Sequence, residues 1–326
     1  MISMFGRAMR VLFAIAAALV LTPLAGSPAG AASLQPVGGF GTNPGALDMY
    51  VYVPDGLSAG APAVVAIHGC GQDAATYHAN SGWRRFADEW GFALIYPQQR
   101  QANNSSGCFN WFQSGDQSRD AGEPASIAQM LDHAVETYSL DSERAYVTGL
   151  SAGGAMTAIM LAAYPDRFAA GSVVAGLPYQ CASDVASAFT CMNPGRNLSP
   201  SAWGDLVRGA HPGFDGPRPG VAIWHGTADD RVVSANATES AEQWTDAAGV
   251  PADPTDVTVI APGATRTTYG EDAVRLYTVE GMGHGTPVDP GPNPDQCGSA
   301  APNFLDTVCS AHHDAVFFGL DDGRTL

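Results

Sequence analysis

Short unbroken apolar runs recur along this chain, and between them lie stretches whose apolar residues return every three or four positions. Unbroken runs are the mark of strands buried on both faces, and helical spacing between them predicts βαβ units around a parallel sheet. Strands are expected at 47–53, 63–68, 92–96, 145–148, 171–175, 221–224 and 276–279, the last of these closing the sheet. Helices are expected at 83–90, 125–138, 153–164 and 239–248, with a final helical segment at 312–320. The helix at 125–138 is amphipathic, with Ile127, Met130, Leu131 and Val135 on one face. The pattern thus specifies an α/β fold with a mostly parallel central sheet and helices on both faces. Three stretches lack periodicity: a glycine-rich entry at 33–45, a long polar loop at 98–122 and a proline- and glycine-rich excursion at 181–220. That excursion holds one short apolar piece near Trp203 and Val207.

Composition narrows the setting. Arg7 and Arg10 precede an apolar run at 11–21, and small residues follow at Ala29-Gly30-Ala31-Ala32, the layout of a secretory signal peptide over 1–32. The run is too short to span a bilayer and Pro23 breaks it. The remaining 33–326 is sized for one large domain. All 15 basic residues are arginines, so beyond residue 32 the chain carries 13 positive against 32 negative formal charges, a net of −19. Such a surface repels nucleic acid and anionic membranes, and makes neutral polymers better substrates than acidic ones. A monomer is expected. Six cysteines in an exported chain point to three disulfides; closeness in sequence favours Cys181 with Cys191 and Cys297 with Cys309, leaving Cys70 for Cys108. No C-x-x-C spacing suggests a metal site.

Candidate chemistry sits where runs end. Gly149-Leu150-Ser151-Ala152-Gly153 joins a strand to a helix through a turn so sharp that glycines are needed on either side of the serine. A serine there stands at a helix N-terminus, where backbone N–H groups favour developing negative charge. The run at 63–68 ends in His68-Gly69-Cys70-Gly71-Gln72, a turn able to supply a second backbone donor; His68 itself reads as a residue that holds the loop. The run at 221–224 ends in His225-Gly226-Thr227-Ala228-Asp229-Asp230-Arg231-Val232, where two aspartates compete and Asp229 fits the H-G-x-x-D-x-x-V arrangement. Glu280-Gly281-Met282-Gly283-His284-Gly285 follows the last strand and makes His284 the base candidate, with His312 and His313 as its rivals. The order Ser, Asp, His along the chain is the order this topology requires. Trp111 and Trp224 are candidate substrate-binding residues, although Trp111 and Phe112 could equally plug the core beneath their loop.

Taken together, Ile67-His68-Gly69-Cys70, Cys108-Phe109-Asn110-Trp111-Phe112, Gly149 to Met156, Trp224 to Asp229 and Gly281 to Gly285 resemble the polyhydroxybutyrate depolymerase family of esterases, secreted α/β-hydrolases related to feruloyl and acetylxylan esterases. The resemblance runs over nearly the whole chain after residue 32. It implies Ser151 as nucleophile, His284 as base, Asp229 as its partner, backbone N–H donors at Cys70 and Ala152, and no cofactor. The expected substrate is a short-chain polyhydroxyalkanoate or its oligomers. The alternatives are feruloyl or acetyl esters of plant cell-wall polysaccharide and, from another class, a non-catalytic secreted binding protein. Many members append a linker and a polymer-binding module; neither is read after the catalytic segment here, so adsorption to insoluble granules is not among the expectations.

Overall fold

Strands form where the apolar runs stand, because only two-sided burial repays so many adjacent apolar side chains. A computed structural model describes residues 1–2 and 32–321; the expected signal peptide lies, but for its first two residues and Ala32, outside the described residues. The chain proceeds through β1 (Gln35–Val37), β2 (Asp48–Tyr52), β3 (Ala63–Ile67), α1 (Ala74–Asn80), α2 (Trp83–Trp90), β4 (Ala93–Gln98), α3 (Gly122–Tyr138), β5 (Ala145–Leu150), α4 (Ala152–Ala163) and β6 (Ala170–Val174). It continues through α5 (Val185–Met192), α6 (Pro200–Ala210), β7 (Gly220–Gly226), α7 (Ala235–Ala248), β8 (Asp256–Ala261), β9 (Ala264–Tyr269), β10 (Val274–Val279), β11 (Thr286–Val288), β12 (Phe304–Asp306) and α8 (Ser310–Phe317). Ten strands form one sheet in the order β1-β2-β4-β3-β5-β6-β7-β10-β9-β8. From β4 to β10 the neighbours are parallel; β1 and β2 at one edge and β9 and β8 at the other run antiparallel.

Alternation along each buried strand feeds two apolar layers. Ala63, Val65 and Ile67 of β3 pack with Ile127, Met156, Trp203 and Trp244 on one side of the sheet, and Val64 and Ala66 pack with Trp83, Phe86 and Phe318 on the other. The fold is the expected mostly parallel α/β sheet with helices on both faces.

Several elements differ from the sequence expectation. The excursion at 181–220 is not irregular: it folds into α5 and α6. Asp184 and Ser187 form a reciprocal capping box on α5, Ser199 caps α6 with Pro200 in its first turn, and Trp203 docks α6 on α7 by donating its indole N–H to Glu239. The strand at 276–279 is not last, since β11 and β12 pair in a small parallel sheet beyond it. The β8–β9 hairpin was not expected, because its edge strand turns Val257 and Val259 to solvent, at 63% and 72% exposure, and so leaves no buried run. The three disulfides join Cys70 to Cys108, Cys181 to Cys191 and Cys297 to Cys309. Among the described residues no helix is long and apolar enough to cross a membrane.

Trp224 is a correction. As the fifth residue of β7 it points into the layer beneath α8, with 0% of its surface exposed. It stacks on Tyr277 at 3.9 Å and donates its indole N–H to Asp314 at 2.8 Å, so no face is left for a substrate. Burial pushes the Asp314 carboxyl up to about 7, against the opposing pull of the Trp224 N–H. A folded molecule that keeps a proton the unfolded chain releases above about pH 4 gains stability at low pH and loses that contribution as pH rises toward about 7. Asp314→Asn should therefore flatten the fall in melting temperature across this window. An unchanged slope in the variant would show that Asp314 does not set it.

Candidate active site

The turn between β5 and α4 is held by close backbone approach. Ser151 sits at φ 57° and ψ −115°, a conformation costly for a residue with a side chain. A Cβ at Gly149 would lie 2.4 Å from the Gly153 carbonyl oxygen, and one at Gly153 would lie 2.3 Å from that of Ile67 and 2.6 Å from that of His68. No residue but glycine fits either place. The Ser151 N–H donates to the Val174 carbonyl at 2.8 Å, fixing the turn to the end of β6. Ala152, the first helical residue, presents an N–H that the helix itself cannot use.

The loop after β3 packs against this helix start, through the same approach of Gly153 to Ile67 and His68. His68 is 1% exposed, and the Gln99 N–H donates to its Nε2 at 3.1 Å. That assigns the ring hydrogen to Nδ1, which donates to the Gly69 carbonyl at 2.8 Å. Burial pushes the imidazole down to about 4, so it is neutral near pH 7. The peptide between Gly69 and Cys70 is trans and planar, so fixing the Gly69 oxygen on His68 turns the Cys70 N–H away from that ring. His68 thus holds the loop, as its sequence position suggested. Gln99 continues the brace by donating through Nε2 to Glu123, and Asn110 donates to both Glu123 oxygens, at 2.8 Å each. Burial, reinforced by Asp116, pushes the Glu123 carboxyl up to about 7. The Cys70–Cys108 disulfide closes the same connection covalently. Together these bonds order the 98–122 loop, and within it Trp111 is 6% exposed and packs into the core, edge-on to Phe112.

On the far side of the turn, the loops after β7 and β10 interlock. The Thr227 N–H donates to Val279 and the Ala228 N–H to Met282, both at 3.0 Å, and a Cβ at Gly226 would lie 2.1 Å from the Met282 oxygen. This brings Asp229 to His284, whose Nδ1 lies 2.7 Å from Asp229 Oδ2. The Arg231 and Val232 N–H groups donate to Oδ1 at 3.0 and 2.9 Å. Burial alone would raise the Asp229 carboxyl, but the donors from His225, His284 and Val232 outweigh it and hold the group well below the usual carboxylate range. A carboxylate facing Nδ1 places the ring hydrogen there and leaves Nε2 as the basic nitrogen of His284. Asp230, the competing aspartate, is exposed and, among the described residues, offers only its backbone carbonyl, to Asn193. His312 and His313 lie on α8 among Phe86, Trp90, Trp224 and Tyr277, in the apolar layer and away from this pair.

Ser151 follows β5, Asp229 follows β7 and His284 follows β10, all beyond the C-terminal ends of parallel strands. Sequence reasoning missed two residues of this assembly, Glu123 and His225. Glu123 opens a helix with no motif to mark it, and His225 lies inside the H-G-x-x-D-x-x-V motif, where spacing alone does not show that it turns back on the aspartate four residues later.

A parallel sheet carrying a serine on a strained strand-to-helix turn, with a carboxylate–imidazole pair beyond later strands, is the architecture of an α/β-hydrolase. Residues 47–267 match the family model described as Esterase PHB depolymerase, and the chain belongs to that family. It is 49% identical to poly(3-hydroxyalkanoate) depolymerase C of Paucimonas lemoignei, over 91% of this chain and 72% of that one. It is 35% identical to feruloyl esterase B of Talaromyces funiculosus, over 79% of this chain and 75% of that one. Among solved structures, the acetyl xylan esterase from Aspergillus awamori superposes with a TM-score of 0.77 at 28% identity, covering 88% of this chain and 99% of that one.

Proposed function

We propose that the protein is a secreted serine esterase that hydrolyses short-chain polyhydroxyalkanoate or its oligomers. Neutral His284 takes the Ser151 hydroxyl proton on Nε2 as Oγ attacks the ester carbonyl carbon, and Asp229 stabilises the imidazolium that results. The backbone N–H groups of Ala152 and Cys70 receive the oxyanion. Collapse of the tetrahedral adduct breaks the bond to the alcohol oxygen, which leaves with the proton from His284. Water then attacks the acyl-serine, giving its proton to His284, and the acid departs as that proton returns to Oγ.

The observation that carries the substrate is the 49% identity to the depolymerase over 91% of this chain, against 36% to the acetylxylan esterase of Coprinopsis cinerea over 80%. Export through cleavage after Ala31 or Ala32 accords with three disulfides in the folded part. A second reading, a feruloyl or acetylxylan esterase, draws on the near-complete superposition of the Aspergillus awamori enzyme. Incubation with a poly(3-hydroxybutyrate) suspension, methyl ferulate and acetylated xylan in parallel separates the two. Clearing with release of 3-hydroxybutyrate is expected; ferulate or acetate release without clearing or attack on hydroxybutyrate oligomers would favour the second reading.

A further inference from the structure

The carboxylate of Asp229 faces two imidazoles, and only one of them belongs to the reaction just described. His225, the next-to-last residue of β7, is 2% exposed and lies beneath the Asp229 turn. Its Nε2 is 2.7 Å from the Val232 carbonyl oxygen and 3.4 Å from Asp229 Oδ2. A carbonyl can only accept, so Nε2 carries the hydrogen and shares it between a close and a longer partner. Its Nδ1 is buried with no hydrogen-bond partner among the described residues. The polar engagement of this ring is therefore all directed at the Asp229 turn.

We propose that His225 is a positioning residue for the Asp229–His284 pair, its shared Nε2–H fixing the turn through Val232 and holding Oδ2 toward His284. This rests on the triad reading above. His284 stands in a loop with glycine at 281, 283 and 285, which gives its ring little side-chain support from its own segment. Its orientation is thus inherited from Asp229, and Asp229 inherits its own from below. Oδ1 is held by two backbone donors, one of them the N–H of Val232, the residue whose carbonyl His225 grips. Losing the His225 donor loosens that turn and leaves Oδ2 with His284 as its remaining side-chain donor. A carboxylate with fewer donors pulls harder on the imidazolium, so the acidic limb of the rate profile moves to higher pH. The titratable groups facing the carboxylate are His225 from β7 and His284 from the loop after β10; Asp230 and Arg231 follow it in the turn with their side chains outward.

The test measures kcat, KM and the pH profile of kcat/KM on p-nitrophenyl butyrate. His225→Phe keeps the ring and removes the donor; kcat should fall roughly tenfold to a hundredfold with KM changed less than about threefold, and the acidic limb should move up. His225→Gln, whose amide nitrogen reaches close to the place of Nε2, should restore most of the loss. His225→Asn, whose nitrogen stops near Nδ1, should behave as the Phe variant does and carries the comparison if the Phe variant does not fold. Turnover in the Phe or Asn variant within about twofold of wild type, or equal losses in all three with an unmoved limb, would overturn the proposal. Asp229→Asn assayed alongside keeps the two levels apart. If that variant stays active the triad reading itself fails, whereas an inactive Asp229→Asn enzyme beside a fully active His225→Phe enzyme refutes only the role of His225.

Discussion

Ser151→Ala should reduce hydrolysis of p-nitrophenyl butyrate by about a millionfold, to the edge of the uncatalysed background. In the proposed mechanism the oxygen at this position is the nucleophile, and without it the imidazole, the carboxylate and both backbone donors would have nothing to activate. The fold should hardly register the change. Alanine meets the same φ of 57° that serine already tolerates, and the turn is fixed by glycine contacts and by the N–H bond to Val174, none of which uses the hydroxyl. Melting temperature should stay within about 2 °C, and hydrolysis above a hundredth of wild type in the purified variant would reject Ser151 as nucleophile.

Asp229→Asn should be nearly as damaging, with a loss in kcat of about ten-thousandfold. The reason lies in how the three hydrogen bonds of this carboxylate, and its longer contact with His225, are shared. Two backbone N–H groups point at Oδ1, so an amide must put its oxygen there. Its NH₂ then falls at the position of Oδ2, where both His284 and His225 also present N–H groups. Donor meets donor, and His284 escapes the clash by moving its hydrogen to Nε2, which takes away the basic nitrogen. Asp230→Asn is the control: exposed and, among the described residues, engaged through its backbone alone, it should leave kcat within about twofold of wild type. Comparable losses at the two positions would undo the assignment.

The sheet was legible because burial on both faces writes itself into sequence as unbroken apolar runs, and 63–68, 145–148 and 221–224 all became central strands. The candidate site was legible for a related reason: its residues follow those runs, so finding the strand ends found the loops. What escaped lacks that signature. The hairpin of β8 and β9 lies at the sheet edge with valines turned outward, and α5 and α6 are short helices amid prolines and glycines, marked only by their caps. Trp224 shows the opposite lapse. Val221 and Ile223 feed one apolar layer and Ala222 and Trp224 the other, so the alternation within β7 already committed the indole to the interior. The convergence of His225 and His284 on one carboxylate is different in kind, since a pairing across 55 residues of chain between Asp229 and His284 depends on which strands lie side by side.

Cys70, Cys108, Cys181 and Cys191 stand in segments that follow the C-terminal ends of β3, β4 and β6, in the sheet from which Ser151, Asp229 and His284 also emerge, whereas Cys297 and Cys309 clasp the small sheet of β11 and β12. Two of the three crosslinks therefore brace the rim that carries the candidate site, and under reducing conditions that rim loses its covalent support while the two apolar layers keep theirs.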